Sequence, residues 1–201
     1  MLKFPVAAFV SVFAMMTATS AQAVPTYFFA GLNGANESPP NASLGTGFAT
    51  VLFDLDAHTM QVDVSFSGLT AGNTAAHIHC CTAVPGVGTA GVATSLPTFT
   101  DFPTGTMAGV YSHLFDMTLA SSYNPAFVTA NGSIAAAETA LYDGMIAGTE
   151  YLNIHSSVFR SGEIRGFLKV PEPLTLSLFG VGLGGIAALK RRRRQSSVES
   201  V

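Results

Sequence analysis

Between residues 27 and 170, apolar and polar positions mostly alternate with a period of two, the pattern of strands that bury one face. Tyr27-Phe28-Phe29-Ala30-Gly31-Leu32 predicts a first strand. In residues 47–55, Ala49, Val51, Phe53 and Leu55 share one face, while Phe48, Thr50, Leu52 and Asp54 share the other. Residues 60–66 set Met60, Val62, Val64 and Phe66 against Gln61, Asp63 and Ser65. The stretch Asp56-Ala57-His58-Thr59 joins the two runs as an antiparallel hairpin. Residues 75–80 and 110–117 predict further strands, and residues 151–155 with 163–170 a closing hairpin around Arg160-Ser161-Gly162. Residues 85–109, rich in Gly, Thr and Pro, read as a loop holding one short strand at 92–96. Helical spacing occurs once, where Ile134, Ala137, Leu141 and Met145 fall within residues 133–146. Many short strands and one connecting helix predict a mainly β domain, an antiparallel β-sandwich.

Both ends depart from this pattern. Lys3, an apolar stretch over residues 4–18 and the small-x-small site Ala21-Gln22-Ala23 predict a signal peptide over residues 1–23, leaving Val24 as the mature N-terminus. At the other end, Pro171-Glu172-Pro173 precedes an apolar run over residues 174–189, then Lys190, Arg191, Arg192, Arg193 and Arg194. As a helix that run rises about 24 Å, short of a ~30 Å hydrocarbon core. Gly180, Gly182, Gly184 and Gly185 weaken it further. The basic cluster belongs on the cytoplasmic side, which places everything before Pro173 outside.

The Pro-Glu-Pro signature, short membrane helix and arginine cluster resemble the PEP-CTERM sorting signal. The resemblance implies an exported protein held transiently in the inner membrane of a Gram-negative bacterium until an exosortase processes it. It implies a final place in the outer envelope or outside the cell, and a matrix role among exopolysaccharide-producing bacteria. A plain C-terminal anchor is the competing reading. The chain thus divides into residues 1–23, a domain over 24–170 and a sorting segment over 171–201.

Charge narrows the choice of partner. Between Val24 and Pro173 stand three cations (Arg160, Arg165, Lys169) and eleven acids, so 3 − 11 gives −8. That argues against nucleic acid and anionic lipid as partners, since both reward basic patches. The two cysteines, Cys80 and Cys81, are adjacent and cannot tie distant strands together within one chain. Small core thiols, a vicinal or intermolecular disulfide, and metal ligation all remain open.

A second resemblance covers nearly the whole domain. Leu32 and Glu37-Ser38-Pro39-Pro40, then Thr46-Gly47, Ala76-His77-Ile78-His79, Tyr151-Leu152-Asn153-Ile154-His155-Ser156 and Gly162-Glu163-Ile164-Arg165-Gly166 follow the order and spacing of the CHRD domain. The resemblance spans about residues 27–168. It implies an extracellular interaction module with an immunoglobulin-like or superoxide-dismutase-like β-sandwich, and it defines no biochemical role.

The residues themselves suggest one chemistry. His77 and His79 stand two apart on a strand, so their side chains point to one face. His155, near the end of another strand, is placed to supply a third nitrogen; such a set suits copper or zinc. Cys81 shares the histidines' parity if the strand runs that far, and Glu163 is a candidate oxygen ligand. The competing reading is a buried polar network of Glu37, Asn153, Glu163 and Arg165 with the histidines, in which Glu163 pairs with Arg165 and Glu37 or Glu163 bonds an imidazole. His58 and His113 read as structural or exposed. No Gly-x-Ser-x-Gly elbow and no His-Glu-x-x-His helix is present, so catalysis has no motif to stand on. The absence of tryptophan weakens a sugar-stacking platform. The expectation is a non-enzymatic interaction protein of the envelope or matrix, with exopolysaccharide or envelope proteins as partners. The alternative is a copper- or zinc-binding sandwich using His77, His79 and His155.

Overall fold

The computed structural model describes residues 24–171. The expected signal peptide with its Ala21 and Ala23, the Glu172-Pro173 part of the sorting motif, the 174–189 segment and the arginine cluster lie outside the described residues. Among the described residues no helix is long and apolar enough to cross a membrane.

Seven strands form one continuous antiparallel sheet: β1 (Thr26–Asn33), β2 (Thr46–Asp54), β3 (Thr59–Ser67), β4 (Asn73–His79), β5 (Gly109–Asp116), β6 (Tyr151–Ser156) and β7 (Ile164–Phe167). Their spatial order is β4-β6-β7-β1-β2-β3-β5. The sheet curls around a single core, so the antiparallel β-sandwich expected takes a curled, barrel-like form. The β2–β3 hairpin pairs Asp54 with Thr59, its turn held by the Asp54 carboxylate accepting from the Asp56 and Ala57 amides. Period two sets the inner face: Phe28 and Ala30, Val51 and Phe53, Met60 and Val62, Ala76 and Ile78, Leu152 and Ile154 are all fully buried or nearly so.

The strand expected at residues 92–96 is instead a flanking segment with isolated bridges, His79 to Val92 and Thr94 to Tyr123. Threonine side chains complement the backbone bonds that the Ala93 and Phe99 amides donate to Ile78 and Ala76: Thr94 Oγ1 accepts from the Ile78 amide and Thr98 Oγ1 from the Ala76 amide. This segment covers the open edge of β4, which would otherwise present unpaired backbone groups. It then carries Phe99 across to β5, where the ring stacks on Tyr111 at 5.7 Å and meets Phe115 at 5.7 Å. The two edges of the curl are thereby joined.

Two helices close the remaining side, where one was expected. Helix α1 (Pro125–Asn131) starts on the Asn124 side chain and ends at Gly132, which sits at φ 85°. Helix α2 (Ile134–Ile146) starts on the Ser133 hydroxyl and buries Ala137, Leu141 and Met145. Tyr142 of α2 meets Phe53 edge-on at 5.5 Å, and Glu138 receives His58 of the β2–β3 turn at 2.9 Å.

Candidate functional site

Strands β4, β6 and β7, neighbours at one end of the sheet, position a polar surface on the outer face of the curl. In the β4–β6 ladder His77 faces Asn153, His79 faces Tyr151 and Ala75 faces His155. In β6–β7 Asn153 faces Arg165 and Tyr151 faces Phe167. Parity therefore puts all of these side chains on the side opposite Ile78, Leu152 and Ile154. Ring centroids of His77, His79 and His155 lie 5.5–6.0 Å apart in all three pairings. One ring nitrogen from each lies within 4.8 Å of those of the others. The structure brings the three histidines together.

Each ring is held by one backbone carbonyl. His77 Nε2 lies 2.7 Å from the Pro97 oxygen, His79 Nδ1 2.9 Å from that of Ala90, and His155 Nδ1 2.9 Å from that of Arg160. A carbonyl only accepts, so each of these nitrogens carries the proton and donates it. The opposite nitrogens, His77 Nδ1, His79 Nε2 and His155 Nε2, are buried and have no partner among the described residues. Burial, partly opposed by the Pro97 and Ala90 carbonyls, pushes His77 and His79 down to about 4. Burial likewise lowers His155, against the Arg160 carbonyl. The cluster is three neutral imidazoles whose three lone pairs meet no donor among the described residues. Tyr151 fixes the arrangement further: its ring stacks on His79 at 4.7 Å, and its hydroxyl accepts from the Ala90 amide at 3.2 Å.

The polar network is smaller than the sequence suggested. Arg165 sits at 3% exposure, donating from Nε to the Asn36 carbonyl and from NH1 to that of Gly88, with Glu37 Oε2 3.8 Å from Nε. Asn153 donates to Glu37 Oε2 at 3.5 Å. Burial raises Glu37 to about 7 even though Arg165 and the Ser38 amide pull the other way. Arg165 lies 4.6 Å over the Tyr151 ring, so network and histidine cluster meet at that tyrosine.

Glu163 belongs to neither, which corrects two expectations. It accepts from Ser43 Oγ at 2.7 Å and from the Thr70 amide at 2.5 Å, and no ion pair joins it to Arg165 among the described residues. The β7 ladder begins at Ile164, one residue after the turn, so strand parity does not extend back to Glu163. Burial raises this carboxyl, but bonds from Ser156, Ser43 and Thr70 outweigh it and hold the group below its ordinary value. The imidazoles are likewise bonded to carbonyls and not to Glu37 or Glu163. Cys81 is also absent from the cluster: β4 ends at His79, and Cys81 is joined to Cys80 as a vicinal disulfide. His58 pairs with Glu138, and His113 stands 3.9 Å from Asp101.

Tyr151, the carbonyls of Ala90, Pro97 and Arg160, and Glu150 were not singled out by sequence. Only Glu150 left a readable signal. It shares the parity of Leu152 and Ile154, an acid on the apolar face of a strand, and it is fully buried.

No curated protein and no solved structure matches the chain. A match to the CHRD domain family does, over residues 28–168, taking in the sheet from β1 to β7 with both helices and every residue of the site. On that match the chain is a member of the CHRD domain family.

Proposed function

We propose that the protein is an exported, non-enzymatic binding protein of the bacterial envelope or extracellular matrix, and that its binding centre is His77, His79 and His155 holding a copper or zinc ion. One observation carries the second half: three histidine rings converge, and each keeps a buried nitrogen with no partner among the described residues opposite a nitrogen anchored on a backbone carbonyl. A buried polar atom is normally paired, and a structural network of histidines would leave few lone pairs over. The anchoring carbonyls are the usual outer partners of metal-ligating imidazoles, fixing tautomer and ring direction. Imidazole nitrogen favours copper and zinc, and three protein ligands leave a coordination position for water or a partner's donor group.

The first half rests on the CHRD family, whose members include extracellular modules, and on the Pro171-Glu172-Pro173 signature with its arginine cluster. Processing by an exosortase, transient residence in the inner membrane and contact with exopolysaccharide or envelope proteins are parts of the same proposal.

The test is titration of chelator-treated, untagged protein with zinc and with copper, followed by X-ray absorption on the loaded form. We expect one ion per chain and two to three imidazole nitrogens at ~2.0–2.1 Å. Absence of stoichiometric binding, or a first shell of oxygen alone, refutes the centre. Intact mass of the exported form tests the other half: it should begin at Val24 and lack Arg191 to Arg194. Deleting the exosortase should leave the arginine cluster in place, and no change in size would reduce the tail to an anchor.

A further inference from the structure

Beyond the histidine cluster lies a second group with unused chemistry. Cys80 and Cys81 continue the chain past His79, and Glu150 immediately precedes Tyr151, so the pairing of His79 with Tyr151 brings the three together. The cysteines are joined to each other, Cys80 buried and Cys81 exposed. Glu150 Oε1 lies 3.8 Å from Cys81 Sγ, and one Glu150 oxygen and both sulfurs fall within 4.8 Å of one another.

Glu150 is fully buried, no cation pairs with it among the described residues, and its Oε2 has no partner. Burial holds its carboxyl well above the ordinary range, which favours the protonated form. An unpaired buried acid is a burden on the fold that an apolar side chain would remove. Helix α2 closes over the group at Gly144. A Cβ there would lie 2.5 Å from Glu150 Oε1 and 2.7 Å from Cys81 Sγ, so only glycine lets the helix come this close.

We propose that Cys80–Cys81 is a redox-active disulfide, reduced by an external dithiol, with Glu150 donating a proton to the sulfur released beside it. An incoming thiolate attacks the exposed Cys81 Sγ. The Cys80–Cys81 bond breaks, Cys81 forms a mixed disulfide, and Cys80 leaves as a thiolate that takes the proton the incoming thiol lost to solvent. The dithiol's second thiolate then attacks its own sulfur in the mixed disulfide. Cys81 leaves as a thiolate, takes the Glu150 proton, and Glu150 is reprotonated from solvent by the proton of that second thiol. The dithiol is oxidised to its disulfide by two electrons and the cysteines end as two thiols. None of this depends on a metal at the histidines.

The experiment treats the full mature protein with dithiothreitol in the presence of a chelator. Samples are quenched in acid, alkylated in denaturant and weighed, while circular dichroism follows the fold. We expect two alkyl groups to be added together with the fold intact, and Glu150→Gln to slow the reaction at pH 7 at least about tenfold. Reduction only after unfolding, or a Glu150→Gln rate equal to that of the unmodified protein, overturns the proposal. Should that variant not fold, the unmodified protein decides: its disulfide must be reduced faster in the native state than in denaturant, and a slower native reaction overturns the proposal.

Discussion

The β4-β6-β7 half of the sheet has two faces built on one backbone, and both are buried. The inner face is Ala76, Ile78, Leu152, Ile154 and Ile164, with no polar atom to satisfy. The outer face is His77, His79, Tyr151, Asn153 and Arg165, each between 2% and 8% exposed. The inner face is stabilised by burial alone, roughly 25 cal/mol per Å² of apolar surface. The outer face needs the segments that cross it, because each polar group must find a partner once water is gone. Those segments supply the carbonyls of Asn36, Gly88, Ala90, Pro97 and Arg160. Equal burial thus arises from opposite economies, and on the outer face three clustered imidazoles each keep a lone pair unmatched among the described residues.

The sharpest separation of the two faces is by truncation. Ile154→Ala should lower unfolding free energy by about 2–5 kcal/mol in urea melts while the folded fraction still binds one ion. If it instead abolished binding and spared stability, the division of labour would fail. His79→Ala should do the reverse, weakening zinc or copper binding at least about a hundredfold, which is ~2.7 kcal/mol, with a smaller change in the metal-free melt. Calorimetric titration reads the first quantity and denaturation the second.

Acidity probes the titrating groups of the outer face. His77 and His79 have folded values near 4 against an ordinary 6.5, so the unfolded chain binds protons more readily. Their stabilising effect is therefore complete above pH 6.5 and is lost as pH falls toward 4. Glu37 acts oppositely: raised from 4.5 to about 7, it favours the fold at low pH, and that contribution is lost as pH rises through 7. Metal-free protein should lose stability between pH 6.5 and 4, and Glu37→Gln should make that loss steeper. A flat profile in both proteins contradicts the assignment. The smallest effect expected is that of Tyr151→Phe. It removes the hydroxyl bonded to Ala90 but keeps the ring on His79, and should cost about 1 kcal/mol with a few-fold loss in metal affinity.

The parts of this design that were legible in the sequence are those written in side-chain periodicity. The β2–β3 hairpin follows from strict alternation around Asp56, and α2 from Ser133 followed by Ile134, Ala137, Leu141 and Met145. Convergence of the three histidines follows from parity plus strand ends. Helix α1 escaped because seven residues are too few for a period; its cues were Asn124-Pro125 at the start and Gly132 at the end. The carbonyls that orient the imidazoles were beyond reach, since any residue type can supply one. Glu163 was misplaced because a turn intervenes before the ladder, and parity holds only within a strand. Gly162 makes that turn at φ 137°, where a side chain would also strike Asn153 and Glu37.

The strand order carries a consequence for timing. Strand β4 follows β3 in the chain yet lies at the opposite end of the sheet, beside β6. As the polypeptide lengthens, His77 and His79 wait without a neighbour until the final stretch of the domain arrives with His155. Such long-range pairing is a late event in folding. If the proposed export carries the chain across a membrane unfolded, it would bring no ion with it in this pocket. On the proposed function the strands that bring His155 beside His77 and His79 complete the ligand set, so the compartment in which they dock would determine which metal the protein meets first.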